Sequence, residues 1–390
     1  MTMHFSPDVA SPFIDSQSRL DAFVANQAFD RPTLVIDLDR VATQYRALKA
    51  GLGRADIHYA VKANPARQII GRLVDLGAHF DAASRAEIAL CLDEGAEPSE
   101  ISFGNTIKRA SDIAWAYDQG IRLFAADAEQ ELEKIAAHAP GSSVYIRLIV
   151  AHSEADWPLS RKFGCDREMA LTLLDRAKAL GLHPVGFSFH VGSQTRQAAM
   201  WAPTLDIFAD IWSEARAAGH DLTLLNIGGG FPAFYGEEIE APTAYAAAVI
   251  EMVEARFPNL DKIMAEPGRG MVAESGVIVA EVLLVSRKSA DDMHRWVYLD
   301  IGRFSGLAET EGEAIRYQLQ TARDADPMGP CVVAGPSCDS ADVLYEKRPM
   351  SLPVTLQAGD RVLIRNTGAY TSTYSSVCFN GFPPLDVVVI

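Results

Sequence analysis

A lysine closes the apolar run in His58-Tyr-Ala-Val-Lys-Ala-Asn-Pro65, where a buried strand should end on an uncharged residue. The pattern recurs along the chain. Short apolar runs end on Asp81 with Ser84, Asn105, Asp127, Arg147, His190 with Ser193, Gly228-Gly229-Gly230 and Glu266. Each has a structural reading by itself. Lys62 can snorkel to solvent. Asp81 and Ser84 can cap helices, since Ser84 with Glu87 three residues on forms a capping box. His190 can be a core histidine, Arg147 and Glu266 can pair, and the glycines can make a tight turn. Reactive groups at the ends of successive strands, taken together, form a site.

The chemistry follows from the residue types. A lysine in an apolar pocket has a lowered pKa and can form a Schiff base with a carbonyl. Three successive glycines let backbone N–H groups approach a phosphate. Ile227-Gly-Gly-Gly-Phe-Pro232 is not the G-x-G-x-x-G of dinucleotide sites. A carboxylate facing a pyridine nitrogen keeps it protonated, which makes the ring an electron sink, and a flat histidine can stack on that ring. These are the needs of pyridoxal 5′-phosphate.

Such residues need a scaffold that brings strand ends together. Candidate strands cover 57–63, 79–84, 101–105, 123–128, 144–150, 184–192, 222–230 and 262–268, with amphipathic segments between them. One of these, Arg167-Glu-Met-Ala-Leu-Thr-Leu-Leu-Asp-Arg-Ala-Lys-Ala-Leu-Gly181, ends on a helix-stopping glycine. Strand–helix alternation implies parallel strands, and eight such units fit an α/β (β/α)8 barrel. An open doubly wound sheet is the alternative. The eighth helix is expected at 39–51, before the first strand. Beyond Arg269 the chain is β-rich. The predicted domains are a barrel over 34–269 and a mostly-β domain made of 1–33 and 270–390.

Composition narrows the class. Of the 390 residues, 48% are hydrophobic and 22% charged, which suits a large core and argues against wholesale disorder. A net charge of −16 without a Lys/Arg run argues against nucleic acid. The first twenty residues lack the pattern of a signal peptide, and no apolar run has the length of a membrane span. Scattered cysteines without C-x-x-C spacing point to free thiols in a cytoplasmic protein, and the histidines show no metal-ligand spacing.

These motifs carry a resemblance. YAVKAN, FDAAS, SFHVGSQ, GGGFP, EPGRG, GPSCDSAD, GAY and FNGF occur in the order found in fold-type III pyridoxal-phosphate decarboxylases, the ornithine, lysine and diaminopimelate decarboxylase group. The resemblance implies an alanine racemase-like barrel plus β domain and a homodimer with shared active sites. It implies that Lys62 binds the cofactor as a Schiff base and that His190 stacks on its ring. Glu266 meets the ring nitrogen. Ser193, Gly229, Gly230, Arg269 and Tyr370 hold the phosphate. Asp81, Glu87 and Arg147 support this chemistry. Cys338 of the second chain protonates the carbon that loses carbon dioxide, and Asp339 contacts the distal amine. Phe304 lies in the segment that shapes the substrate pocket, and residues 152–164 form a covering loop.

The implied reaction is decarboxylation of a basic L-amino acid, ornithine to putrescine and possible lysine to cadaverine. Cys338-Asp339-Ser340 stands where diaminopimelate decarboxylases tend to carry Cys-Glu-Ser, and an aspartate suits a bare ammonium. Diaminopimelate is the alternative substrate. A catalytically silent regulatory paralogue is a second alternative, which the presence of Lys62, His190, Glu266, Cys338 and Tyr370 disfavours.

Overall fold

The computed structural model describes residues 14–149 and 162–390. Helix α1 (Ile14–Ala25), strand β1 (Thr33–Ile36) and helix α2 (Leu38–Leu52) lead into eight parallel strands. These are β2 (Asp56–Ala60), β3 (His79–Ala82), β4 (Ile101–Phe103), β5 (Leu123–Ala126), β6 (Ser143–Arg147), β7 (His183–Ser188), β8 (Leu224–Asn226) and β9 (Lys262–Ala265). They close into a barrel, because β9 pairs back onto β2 with Asp56 opposite Met264 and Ile57 opposite Ala265. That pairing excludes the open sheet. Helices α3 (Arg67–Asp75), α4 (Arg85–Asp93), α5 (Ala110–Asp118), α6 (Glu129–His138), α7 (Arg167–Ala179), α8 (Ala202–Ala217) and α9 (Pro242–Arg256) follow β2 to β8 in turn. Helix α2 precedes β2 in the place expected for the eighth.

Register and alternation decide what each face carries. Ala60, Asp81 and Ser102 lie opposite one another on β2, β3 and β4. Ala125 lies opposite Tyr145, Arg147 opposite Ser188, and Asn226 opposite Met264. Successive side chains alternate between faces, so all of these share one face. Ala125, Tyr145, Leu224 and Met264 cluster together, which identifies it as the barrel interior. The other face is aromatic, with Tyr59 opposite Phe80 and Phe103 opposite Phe124, all buried. The runs look uniformly apolar in sequence because the inward face mixes small and polar residues with this outer layer. Helix ends follow local chemistry. Asp166 caps α7 by accepting from Met169 N at 2.9 Å, and Gly181 beyond its last turn has φ +76°.

The second unit is a sheet of β10 (Gly276–Ser286), β11 (Arg295–Leu299), β12 (Leu319–Thr321), β13 (Met328–Ala334), β14 (Val343–Pro353), β15 (Arg361–Arg365) and β16 (Asp386–Val389). Its order is β12-β15-β10-β11-β13-β14. Strand β1 pairs antiparallel with β10 and parallel with β16. The chain therefore divides into 42–232 with 240–271, and up to 41 with 233–239 and 272–390. This differs from a barrel starting at 34. Thr33–Ile36 is fully buried, and its ladder partners are β10 and β16 rather than β2. Among the described residues no helix is long and apolar enough to cross a membrane.

Gly186 marks the tightest inward contact, since a Cβ there would stand 1.6 Å from the Leu224 carbonyl oxygen. Gly186→Ala is expected to destabilise the barrel by about 1–3 kcal/mol, measured by thermal or denaturant unfolding. A change within a few tenths would show that β7 and β8 separate freely.

Candidate active site

Lys62 sits beyond its strand. β2 stops at Ala60, and Lys62 is the middle residue of a single 3-10 turn whose neighbours Val61 and Ala63 are buried. The Lys62 side chain is exposed, which corrects the expectation of a strand running through Lys62 that keeps its amine dry. The turn forms because Asn64 N–H donates back to Val61 O at 3.1 Å. Tyr59 Oη adds a hydrogen bond to Asn64 O at 3.0 Å. The environment of Lys62 is electrostatic: its charge acts on Asp81, Glu87 and His190.

Asp81 is the buried acid of the site. Burial raises its carboxyl well above the usual range; Glu266 and Glu87 push the same way, while Lys62 and Arg147 oppose them. Its Oδ1 has no hydrogen-bond partner, and a Cβ on Gly104 would stand 1.7 Å from that oxygen. Asp81 is therefore not a helix cap. Ser84 fills that role, its Oγ accepting from Glu87 N at 3.3 Å. Glu87 Oε2 accepts from Ala83 N at 2.7 Å. Burial raises the Glu87 carboxyl, while the Ala83 N–H and Lys62 hold it back.

His190, the triglycine and Glu266 form one connected piece. His190 Nδ1 accepts from Gly192 N at 3.0 Å, and burial, then Arg147 and Lys62, hold its pKa well below the usual histidine value. The ring is a neutral imidazole. A Cβ on Gly229 would lie 3.0 Å from His190 Nε2 and 2.8 Å from Glu266 O. Gly228 and Gly230 have φ +69° and +111°, a region that favours glycine. Asn226, fully buried, links the parts: its Oδ1 accepts from Gly228 N at 2.9 Å and its Nδ2 donates to Glu266 Oε1. Glu266 N donates to Gly228 O at 2.7 Å. Sequence reasoning missed Asn226. Its signal was a polar residue directly ending the apolar run before three glycines.

Beside them, buried Arg269 donates from Nε to Ser193 Oγ at 3.1 Å. A cation, a hydroxyl and backbone freed of side chains can together hold a phosphate. The Arg147 guanidinium lies 5.2 Å from the Phe163 ring centre. Asp127 Oδ2 accepts from Gly164 N at 2.8 Å. Of the expected covering loop 152–164, residues 152–161 lie outside the described residues. The barrel thus brings Lys62, Asp81, Glu87, Arg147, His190, Ser193, Gly229, Gly230, Glu266 and Arg269 onto the C-terminal ends of its strands. These residues fit pyridoxal phosphate, with an amine, a flat neutral ring, an anchored carboxylate, an orphaned buried oxygen and a cradle that any Cβ would fill.

Cys338, Asp339, Phe304 and Tyr370 belong to the second unit. Cys338 and Asp339 are exposed; Cys338 N donates to Asn380 Oδ1 at 2.9 Å, and Asp339 Oδ1 accepts from Ala341 N at 2.9 Å. The Phe304 and Phe379 rings are 4.9 Å apart. Tyr370 has φ +56°, an unusual conformation for a tyrosine and a common mark of functional positions. Asp342, another residue the sequence did not single out, ties these segments together. Its Oδ1 accepts from Arg303 N at 2.7 Å, and its Oδ2 accepts from Ser337 N at 3.1 Å and Ser337 Oγ at 2.7 Å.

Residues 38–273 match the family model described as the pyridoxal-binding domain of pyridoxal-dependent decarboxylases. The chain belongs to the pyridoxal-dependent decarboxylases. It is 35% identical over 352 residues to the lysine/ornithine decarboxylase of Selenomonas ruminantium, covering 90% of this chain and 87% of that one. The structure of a lysine/ornithine decarboxylase from Vibrio vulnificus complexed with cadaverine superposes with TM-score 0.83 at 31% identity, covering 96% and 98%. An arginine decarboxylase of Paramecium bursaria Chlorella virus bound to agmatine gives TM-score 0.85 at 29% identity, covering 95% and 100%. This decarboxylase is accordingly a fold-type III enzyme that uses pyridoxal phosphate and acts on a basic amino acid.

Two outcomes test the geometry. A folded-state carboxyl raised by burial contributes stability at low pH that is lost as pH rises through the raised value. At neutral pH Asp81→Asn is therefore expected to raise the melting temperature of cofactor-free decarboxylase by roughly 2–4 °C while lowering turnover. A lower melting temperature would show that the Asp81 charge is well compensated. Asn226→Ala removes a hydrogen bond to a charged group, worth about 1.5–3 kcal/mol. It is expected to cut kcat/KM by roughly 10- to 100-fold in steady-state kinetics; an unchanged value would show that Glu266 needs no support from Asn226.

Proposed function

We propose that this decarboxylase converts L-ornithine to putrescine and carbon dioxide, with L-lysine to cadaverine as a related activity. The observation that carries the choice is Asp339, an exposed carboxylate adjacent to Cys338. A carboxylate matches a terminal ammonium, and the position carries Asp where diaminopimelate decarboxylases tend to carry Glu. Relatives named for lysine and ornithine support the same reading. Ornithine and lysine differ by one methylene, a distinction worth about 1–3 kcal/mol in a pocket, so dual activity is expected. A diamine product places the reaction in polyamine synthesis.

Bound pyridoxal phosphate supplies an electron sink for the pair left when carbon dioxide departs. The chain does the rest. Lys62 would hold the cofactor through its amine. Glu266, anchored by Asn226, would face the ring nitrogen, and neutral His190 would lie beside the ring without adding charge. Ser193, Gly229, Gly230, Arg269 and Tyr370 would hold the phosphate. Asp81, Glu87 and Arg147 set the field around the amine. Cys338 delivers a proton to the carbon that lost carbon dioxide, Asp339 takes the distal ammonium, and Phe304 bounds the pocket. Exposure of both Cys338 and Asp339 on their own chain supports their supply to a second copy's barrel, in a homodimer with shared sites. Five free thiols support a reducing, cytoplasmic setting.

The deciding experiment is product analysis with ornithine, lysine, arginine and diaminopimelate in parallel. Putrescine as the fastest-formed product is expected; preferential turnover of diaminopimelate or arginine overturns the substrate assignment. Lys62→Ala and Cys338→Ala, each inactive alone, are expected to recover partial activity when mixed. No recovery with subunit exchange confirmed removes the shared site.

A further inference from the structure

The end of the barrel away from the chemistry holds a second cluster of donor groups. Asp56 and His79 are the first residues of β2 and β3, and His58 lies two residues along β2 on the same face as Asp56. The strand register sets His58 directly opposite His79, with ring centres 4.9 Å apart and planes at 77°. One ligand atom from each of Asp56, His58 and His79 lies within 4.8 Å of the others. His58 is 1% exposed, and neither its ring nitrogens nor His79 Nδ1 makes a hydrogen bond of good geometry, the Phe80 backbone being a weak neighbour of His58. Buried polar atoms without good partners cost stability, so one nitrogen from each of two imidazoles close to a carboxylate points to a ligand.

We propose that Asp56, His58 and His79 form a binding site for a borderline divalent metal ion such as zinc, at the N-terminal end of the barrel. Two imidazoles and one carboxylate make a donor set that suits zinc with a fourth position for water. Ligand atoms about 2.0–2.2 Å from zinc stand roughly 3.4 Å from one another, so binding would draw the three side chains closer together than they stand here. Lys262 Nζ lies 3.5 Å from Asp56 Oδ2 and competes with the ion for that carboxylate, so moderate affinity is expected. The ion would tie together the two strands that lead to Lys62 and Asp81 at their other ends. Sequence spacing could not show this site, because His58 and His79 are joined by register across a whole βα unit.

The test uses the cofactor-loaded enzyme, freed of metal by a chelator and titrated with zinc alone by calorimetry and by thermal unfolding. One zinc per chain and a raised unfolding midpoint are expected. Affinity should fall at least tenfold in both His79→Ala and Asp56→Asn, and be unchanged in Cys338→Ser, which controls for binding at exposed thiols. Equal uptake by wild type and His79→Ala, no uptake by wild type, or loss of uptake in Cys338→Ser overturns the proposal. Should His79→Ala fail to fold, Asp56→Asn carries the comparison. The visible spectrum of the cobalt-loaded wild type then reads the donors directly: nitrogen and oxygen bands support the site, and thiolate charge-transfer bands overturn it.

Discussion

Burial of the Asp81 carboxyl at the catalytic end of the barrel is the constraint on which its neighbours act, with the nearby Glu266 adding to it. Glu266 is anchored by Asn226, whose other end fixes the backbone of Gly228, so the carboxylate and the glycine turn are placed by one buried amide. Asp81 instead has an oxygen with no partner, against a glycine that leaves it room. The two acids thus differ in support: one is fixed, the other is left dependent on nearby cations. Lys62 and Arg147 supply that positive charge, and the same two groups, together with burial, keep His190 neutral. A single charge system acts on the protonation of both the Asp81 carboxyl and the His190 ring.

The second unit solves a different problem, that of holding an exposed polar loop in place. Cys338 and Asp339 are exposed, yet their loop is held at both flanks. Asp342 binds Ser337 on one side and Arg303 on the other, while Asn380 receives Cys338 N–H. Three segments distant in sequence therefore share one polar knot, which ties the segment around Phe304 to the cysteine loop.

Much of this was legible in the chain because parallel barrels put chemistry at strand ends, and every strand end here carried a polar or glycine residue. The eight strands, their helices and the missing helix before the first strand followed from apolar periodicity and helix stops. Less legible was what depends on atoms meeting across the fold. Lys62 looked buried because the apolar run before it hides the turn that releases it. Asn226 and Asp342 act by joining backbone groups that no local pattern connects. Strand β1 joined the β sheet through partners some 240 residues away in sequence, a pairing that the hydrophobicity of four residues could not choose between two domains.

Gly104 has a meaning beyond its own position. Any side chain there would meet the Asp81 carboxylate where it now stands, so the acid would have to turn before the glycine could be replaced. The empty space at Gly104 is thus part of how Asp81 is held, as much as any group that touches it.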